Sequence, residues 1–179
     1  DKEVMHVDGE EVVVEKTKPG DFVVCNLASL TLGKINVDDE AELRHIIHVV
    51  VRALDNVIDL NDYPLPFAQI TNQKYRAIGL GTSGYHHMLC QKGIPFESEQ
   101  HLEFVDQLYE KINYYTLEAS CLLAKEKGRY HGFEGSDYDT GMYFQKRHYQ
   151  SKEWQQLETM IHRYGLRNGY LMAIAPTSS

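Results

Sequence analysis

Cysteine is scarce in this chain, and so is anything that would place it in an oxidising compartment or a membrane. Its 179 residues hold three cysteines, Cys25, Cys90 and Cys121, too few and too scattered for a disulfide framework. No Cys-x-x-Cys pair points to structural zinc, so no metal site is expected. No apolar run approaches the roughly 18 residues of a membrane-spanning helix. Cations are in deficit: 18 Lys and Arg face 26 Asp and Glu, a formal net charge of -8, which argues against a non-specific nucleic-acid binder. The start, Asp1-Lys2-Glu3-Val4-Met5, has neither an initiator Met nor a basic-then-apolar leader. The other end stops at Ala175-Pro176-Thr177-Ser178-Ser179, straight after an apolar run. Together these features read as a cytoplasmic piece of a longer polypeptide.

What is present suffices for a core: 42% of the residues are hydrophobic, in a length that suits one domain or part of one. Glu10 to Lys16 reads as an edge strand, followed by a turn at Lys18-Pro19-Gly20-Asp21. Phe22 to Asn26 is a short β-branched run that predicts a buried strand with Cys25 at its end. Asp38 or Asp39 can cap a long helix to about Leu60, with Leu43, Ile46, Ile47, Val50, Leu54, Val57 and Ile58 on one stripe. Ala77 to Leu80 predicts another strand, then glycines and a short helix through Cys90. Ser98 caps a second long helix to about Lys127, striped by Leu102, Val105, Leu108, Ile112, Tyr115, Ala119 and Leu122 and stopped by Gly128. Residues 129–150 read as an aromatic, glycine-rich loop, Trp154 to Tyr164 as a third helix, and Leu171 to Ala175 as a last strand. Strands alternating with helices give an α/β class.

Several constellations invite a chemical reading. Gly79-Leu80-Gly81-Thr82-Ser83-Gly84 fits the G-x-G-x-x-G of a dinucleotide loop, whose backbone N–H groups would face a pyrophosphate. That reading needs a second strand ending in an acid about 20 positions on. The acids there, Glu103 and Asp106, fall inside the second long helix, so a tight turn is the better expectation. Cys25 at a strand end is either a small buried hydrophobe or a thiol placed where α/β folds hold ligands, and Cys90 and Cys121 read as core. Thr177, Ser178 and Ser179 after an apolar strand can cradle a phosphate or simply cap a helix. His45 and His48, and the adjacent His86 and His87, lack the spacing of a metal site and read as surface or interface residues.

Taken together, several stretches carry a resemblance: Val23-Val24-Cys25-Asn26-Leu27-Ala28-Ser29-Leu30, Val51-Arg52-Ala53-Leu54-Asp55 with Asp62-Tyr63-Pro64, and Arg76-Ala77-Ile78-Gly79-Leu80-Gly81. Further on come Leu117-Glu118-Ala119-Ser120-Cys121 with Ala124-Lys125-Glu126, Tyr164-Gly165-Leu166-Arg167-Asn168, and Ala175-Pro176-Thr177-Ser178-Ser179. In this order the chain resembles the large, catalytic subunit of ribonucleotide reductase, from about residue 21 to the end, with residues 1–20 matching loosely.

The resemblance implies that residues 1–179 are part of a catalytic α/β barrel of ten strands, its second half, built from two five-stranded parallel halves. It implies that Cys25 is one cysteine of a redox-active disulfide whose partner lies outside this chain, and that Thr177, Ser178 and Ser179 hold the substrate's phosphates. It assigns no cofactor or metal to this piece. The parent would be a ribonucleoside-diphosphate reductase with ATP and dNTP effectors, a small subunit that supplies a radical from its metal, and thioredoxin or glutaredoxin as reductant. It would also be a homodimer. The radical cysteine's Asn-x-Cys-x-Glu motif is absent from residues 1–24, so this piece alone is expected to be inactive. Rival readings are the cobalamin-dependent branch of the same family, a Rossmann-type NAD(P) oxidoreductase using Gly79 to Gly84, and an interaction domain whose three cysteines are inert.

Overall fold

Two long helices frame the core. Helix α1 (Glu40–Leu60) begins where Asp39, in extended conformation, accepts the N–H groups of Ala41 and Glu42 at 3.0 and 3.1 Å. Helix α4 (Glu99–Lys127) begins where Ser98 accepts His101 N–H at 3.1 Å, and ends at Gly128, whose φ of +89° favours glycine. The two pack against each other. Leu43, Ile47, Val51, Leu54 and Ile58 of α1 and Leu108, Ile112, Leu117, Cys121 and Leu123 of α4 are all buried. Each such aliphatic side chain contributes about 1.5–3 kcal/mol by leaving water. Val57 and Leu102, expected on the same stripes, are 48% and 65% exposed.

The structure, a computed structural model, describes residues 1–18 and 20–174. Strands β1 (Lys2–Val7) and β2 (Glu10–Glu15) form an antiparallel hairpin, turned at Asp8 and Gly9 with φ of +52° and +89°. The edge strand expected from residue 10 is therefore half of a two-stranded ribbon. Strand β3 (Leu27–Thr31) pairs in parallel with β4 (Gly79–Ser83), Leu27 opposite Gly79. On the other side of β4, Leu80 bridges Met172 in parallel, with Leu80 N–H donating to Leu171 C=O and Ala173 N–H to Leu80 C=O. The last predicted strand is thus present as this bridge, and Ala175 lies outside the described residues.

Among the described residues three parallel segments lie side by side and no barrel closes. Helices and parallel strands together make the chain α/β. The remaining helices are α2 (Pro66–Tyr75), α3 (Tyr85–Lys92), α5 (Met142–Lys146) and α6 (Lys152–Tyr164). Helix α2 was not foreseen, and α5 interrupts the stretch read as loop.

Two expectations are corrected. Phe22 to Asn26 is not a buried strand: Phe22 and Val23 are 46% and 67% exposed, and the strand starts only at Leu27, where β4 offers a pairing register. The glycine-rich stretch is not a tight turn, because Gly79 and Gly81 lie inside β4 and only Gly84 takes a positive φ, at +65°. Gly79 is glycine for another reason. A Cβ there would collide with the Leu27 side chain and lie 2.8 Å from Ala173 Cβ, so its absence lets the flanking segments close in. With its first two glycines in a strand, this stretch cannot fold around a pyrophosphate, and the Rossmann reading falls.

Candidate functional site

Cys25 is exposed, one position before Asn26 and the start of β3. It lines a cavity of about 430 Å³ with Val24, Leu27, Gly79, Tyr170 and Ala173 among its walls. The neighbours of Cys25 are anchored on both sides. Upstream, Phe22 N–H donates to Thr71 Oγ1 at 2.8 Å, and the Tyr75 hydroxyl donates to Asp21 Oδ2 at 2.9 Å. Downstream, Asn26 Nδ2 donates to Leu54 C=O at 2.8 Å, while Gly79 N–H donates to Asn26 C=O at 2.9 Å. The thiol is therefore free while the backbone that carries it is held.

The other cysteines behave differently from each other. Cys121 is fully buried on α4, and burial, with Glu118 nearby, pushes its thiol up to about 11. Cys90, expected in the core, is exposed on α3, with its sulfur 3.9 Å from the His86 ring nitrogens. The buried face of α3 is taken by Met88 and Leu89, which turns position 90 outward. Thr177, Ser178 and Ser179 lie outside the described residues.

A buried polar cluster joins four of the quoted stretches. Asp55 of α1 has no exposed surface; its Oδ1 accepts Arg76 Nε at 2.8 Å and Asn168 Nδ2 at 3.1 Å, and its Oδ2 accepts Arg167 Nε at 3.3 Å. Arg76 also grips Asp59 with both terminal nitrogens, at 2.8 and 2.9 Å. Burial disfavours the charge on Arg76, but the hydrogen bonds to Asp59 and Asp55 outweigh it and its pKa is raised; the same contact lowers that of Asp59. Ser120 donates to Asn168 Oδ1 at 2.9 Å and accepts the N–H groups of Arg167 and Asn168 at 3.1 Å. Arg167 reaches the carbonyls of Lys127 and Gly128, closing the end of α4. Among the described residues no buried side-chain polar atom lacks a partner. The cluster thus ties Arg76, just ahead of β4, to Arg167 and Asn168 in the segment leading to Tyr170.

A second cleft, about 820 Å³, is walled by Tyr109, Asn113, Tyr143, Arg147, Tyr149 and Trp154. Its polar groups bond to one another: Tyr143 to Asn113 at 2.9 Å, Asn113 to Tyr149 at 3.2 Å, Trp154 to Glu110 at 2.6 Å. It offers no thiol. His48, read as a surface or interface residue, donates to Glu118 at 3.0 Å between α1 and α4, and His45 is exposed. The residues that sequence reasoning missed are Thr71, Lys74 and Tyr75 on α2. The one available signal was Pro66, at a position where proline starts helices.

The sequence model described as "Ribonucleotide reductase, barrel domain" matches residues 4–179. The ribonucleoside-diphosphate reductase subunit alpha of Treponema pallidum is 58% identical over 176 residues, 98% of this chain and 21% of the relative. The subunit of that name from Helicobacter pylori is 41% identical over 181 residues, 94% of this chain and 23% of the relative. The ribonucleoside-diphosphate reductase large chain 2 of Saccharomyces cerevisiae is 37% identical over 180 residues, 93% and 21%. The chain therefore spans about a fifth of the length of these relatives, and none of these names favours the cobalamin-dependent branch. With the match covering nearly every residue, and four of its quoted stretches meeting in one buried polar cluster, the chain belongs to the ribonucleotide reductase barrel-domain family.

Proposed function

We propose that this chain is part of the catalytic barrel, ten-stranded when complete, of a ribonucleoside-diphosphate reductase large subunit, and that Cys25 is half of its reducing pair. The observation that carries the reading is the exposed Cys25 at the wall of a cavity, on anchored backbone, in a chain of this family. In the overall reaction a ribose C–OH and two thiols give C–H, water and a disulfide, so the pair supplies two electrons and two protons. The second cysteine and the radical cysteine belong to the parent outside this chain. An external dithiol, thioredoxin or glutaredoxin, then returns the disulfide to two thiols by exchange. Thr177, Ser178 and Ser179 would hold the diphosphate, contributing position rather than chemistry. The parent would work in the cytoplasm as a homodimer with ATP and dNTP effectors and a radical-supplying, metal-containing small subunit. Among the described residues no helix is long and apolar enough to cross a membrane.

The test compares turnover of a ribonucleoside diphosphate by the full-length parent, its small subunit and a thioredoxin-type dithiol with that of three variants. Cys25→Ser is expected to lose multiple turnover, while Cys90→Ser and Cys121→Ser keep it. Normal turnover by Cys25→Ser would reduce Cys25 to a surface thiol and overturn the assignment.

A further inference from the structure

Residues 20–26 adopt no helix or strand, yet the stretch is tied to one face of α2. Thr71, Lys74 and Tyr75 are spaced so that they share that face. Thr71 is 2% exposed; its hydroxyl donates to Phe67 C=O at 3.1 Å and is left able to accept Phe22 N–H at 2.8 Å. Lys74 Nζ donates to the Tyr75 hydroxyl at 2.8 Å and lies 3.5 Å from Asp21 Oδ1, while that hydroxyl donates to Asp21 Oδ2 at 2.9 Å. Two consecutive residues, Asp21 and Phe22, are thus pinned four and three positions ahead of the thiol, and Asn26 is pinned just after it. The contacts to α2 join residues 49 to 54 apart in sequence, and that of Asn26 residues 28 apart, so they are not local turn chemistry.

We propose that Thr71 and Tyr75, with Lys74 holding Asp21, are positioning residues that set where the Cys25 thiol meets its partner cysteine. The proposal rests on the redox-pair reading of Cys25. A disulfide forms only when the two Cα atoms come within about 7 Å with a narrow torsion. Ordering one side of that encounter in advance favours the disulfide over the separated thiols. Thr71 and Tyr75 share the cavity wall with Cys25, and they hold the segment ahead of it through the Phe22 N–H and the Asp21 carboxylate. Oxidation of the pair releases two electrons and two protons to the substrate, whose hydroxyl leaves as water, and the external dithiol restores both thiols.

The experiment uses the full-length parent with its small subunit. Oxidised and reduced dithiothreitol set the poise, alkylation traps the thiols, and the peptide carrying Cys25 is quantified. Thr71→Val, which keeps the shape and loses the acceptor, is expected to move the equilibrium towards the dithiol by about three- to tenfold, or about 15–30 mV for a two-electron couple. Thr71→Ser is expected to restore it, and Tyr75→Phe to move it the same way by less. If Thr71→Ser is displaced as far as Thr71→Val, methyl packing rather than the hydroxyl matters and the proposal fails. If Thr71→Val and Tyr75→Phe both hold the parent's equilibrium while Cys25→Ser loses turnover, the clamp fails and the redox reading stands. If Cys25→Ser turns over normally, the redox reading and this inference fail together. Should Thr71→Val not fold, Tyr75→Phe decides alone.

Discussion

Asp55 shows how one carboxylate can organise distant parts of a chain. It has no exposed surface and accepts from residues 21, 112 and 113 positions away. Removing it leaves the Arg76 guanidinium buried against Asp59 alone, and breaking a buried pair on one side typically costs about 3–5 kcal/mol. Asp55→Ala is therefore expected to lower the urea midpoint sharply, whereas Asp59→Ala, at a half-exposed partner, costs less; equal midpoints would refute this ranking. Cys121 gives a second residue-scale prediction. Its thiol is held neutral by burial, so at pH 8 its alkylation by iodoacetamide should be at least about a hundredfold slower than that of the exposed Cys25 and Cys90. The sign for stability follows. A thiol whose pKa rises from 9.0 to about 11 on folding stabilises fully below pH 9, and the contribution is lost as pH climbs towards 11. The slope approaches about 1.4 kcal/mol per pH unit there. Cys121→Ala should flatten that alkaline limb. None of this was legible from one sequence: Asp55, Arg76 and Asn168 stand out as stretches of a resemblance, but no periodicity says that they meet.

At the scale of elements, the long amphipathic helices were readable because their capping and stripes are local. Asp39, Ser98 and Gly128 close α1 and α4 where the sequence placed them. Ser98→Ala, which removes the acceptor for His101 N–H, is expected to cost about 1 kcal/mol, seen as faster amide exchange in the first turn of α4. Helix α2 was not readable. Its sequence, PFAQITNQKY, shows no clear stripe, and only Ala68, Thr71 and Asn72 are buried. Strand β3 was misplaced for a related reason, since the β-branched run at 22–24 outscores LASLT in propensity, while pairing with β4 selects the latter. Between helices, Glu118 ties α4 to Arg44 and His48 of α1 at 2.7 and 3.0 Å. Burial pushes its pKa up, but the hydrogen bonds from His48 and Arg44 outweigh this and the net shift is downward. Its stabilisation is then present above the ordinary 4.5 and lost as pH falls through the lowered value. Glu118→Gln should remove that part of the acid-side decline in stability, and an unchanged decline would place its origin elsewhere.

The whole molecule is an open assembly. Among the described residues β3 pairs on one side only, and the β1–β2 ribbon exposes Val4, Met5, Val7 and Val13 at 63, 44, 45 and 69%. An unpaired parallel edge and an apolar ribbon are both templates for strand addition. Against them stands the net charge of -8, which repels copies of the chain from one another at low salt. The balance predicts a salt response. Raising ionic strength from about 0.01 to 0.5 M shortens the screening length from about 30 Å to a few ångström, removing the repulsion and leaving the edges unopposed. The isolated chain should therefore sediment as larger species as salt and concentration rise. Val13→Lys, which puts a charge in the exposed centre of β2 without touching the buried core, should shift that onset to higher salt if the ribbon is the contact. If the onset does not move, the ribbon is exonerated and the β3 edge is left as the surface through which copies join. If no salt-dependent association occurs at all, the edges of this α/β piece are better protected than their exposure implies.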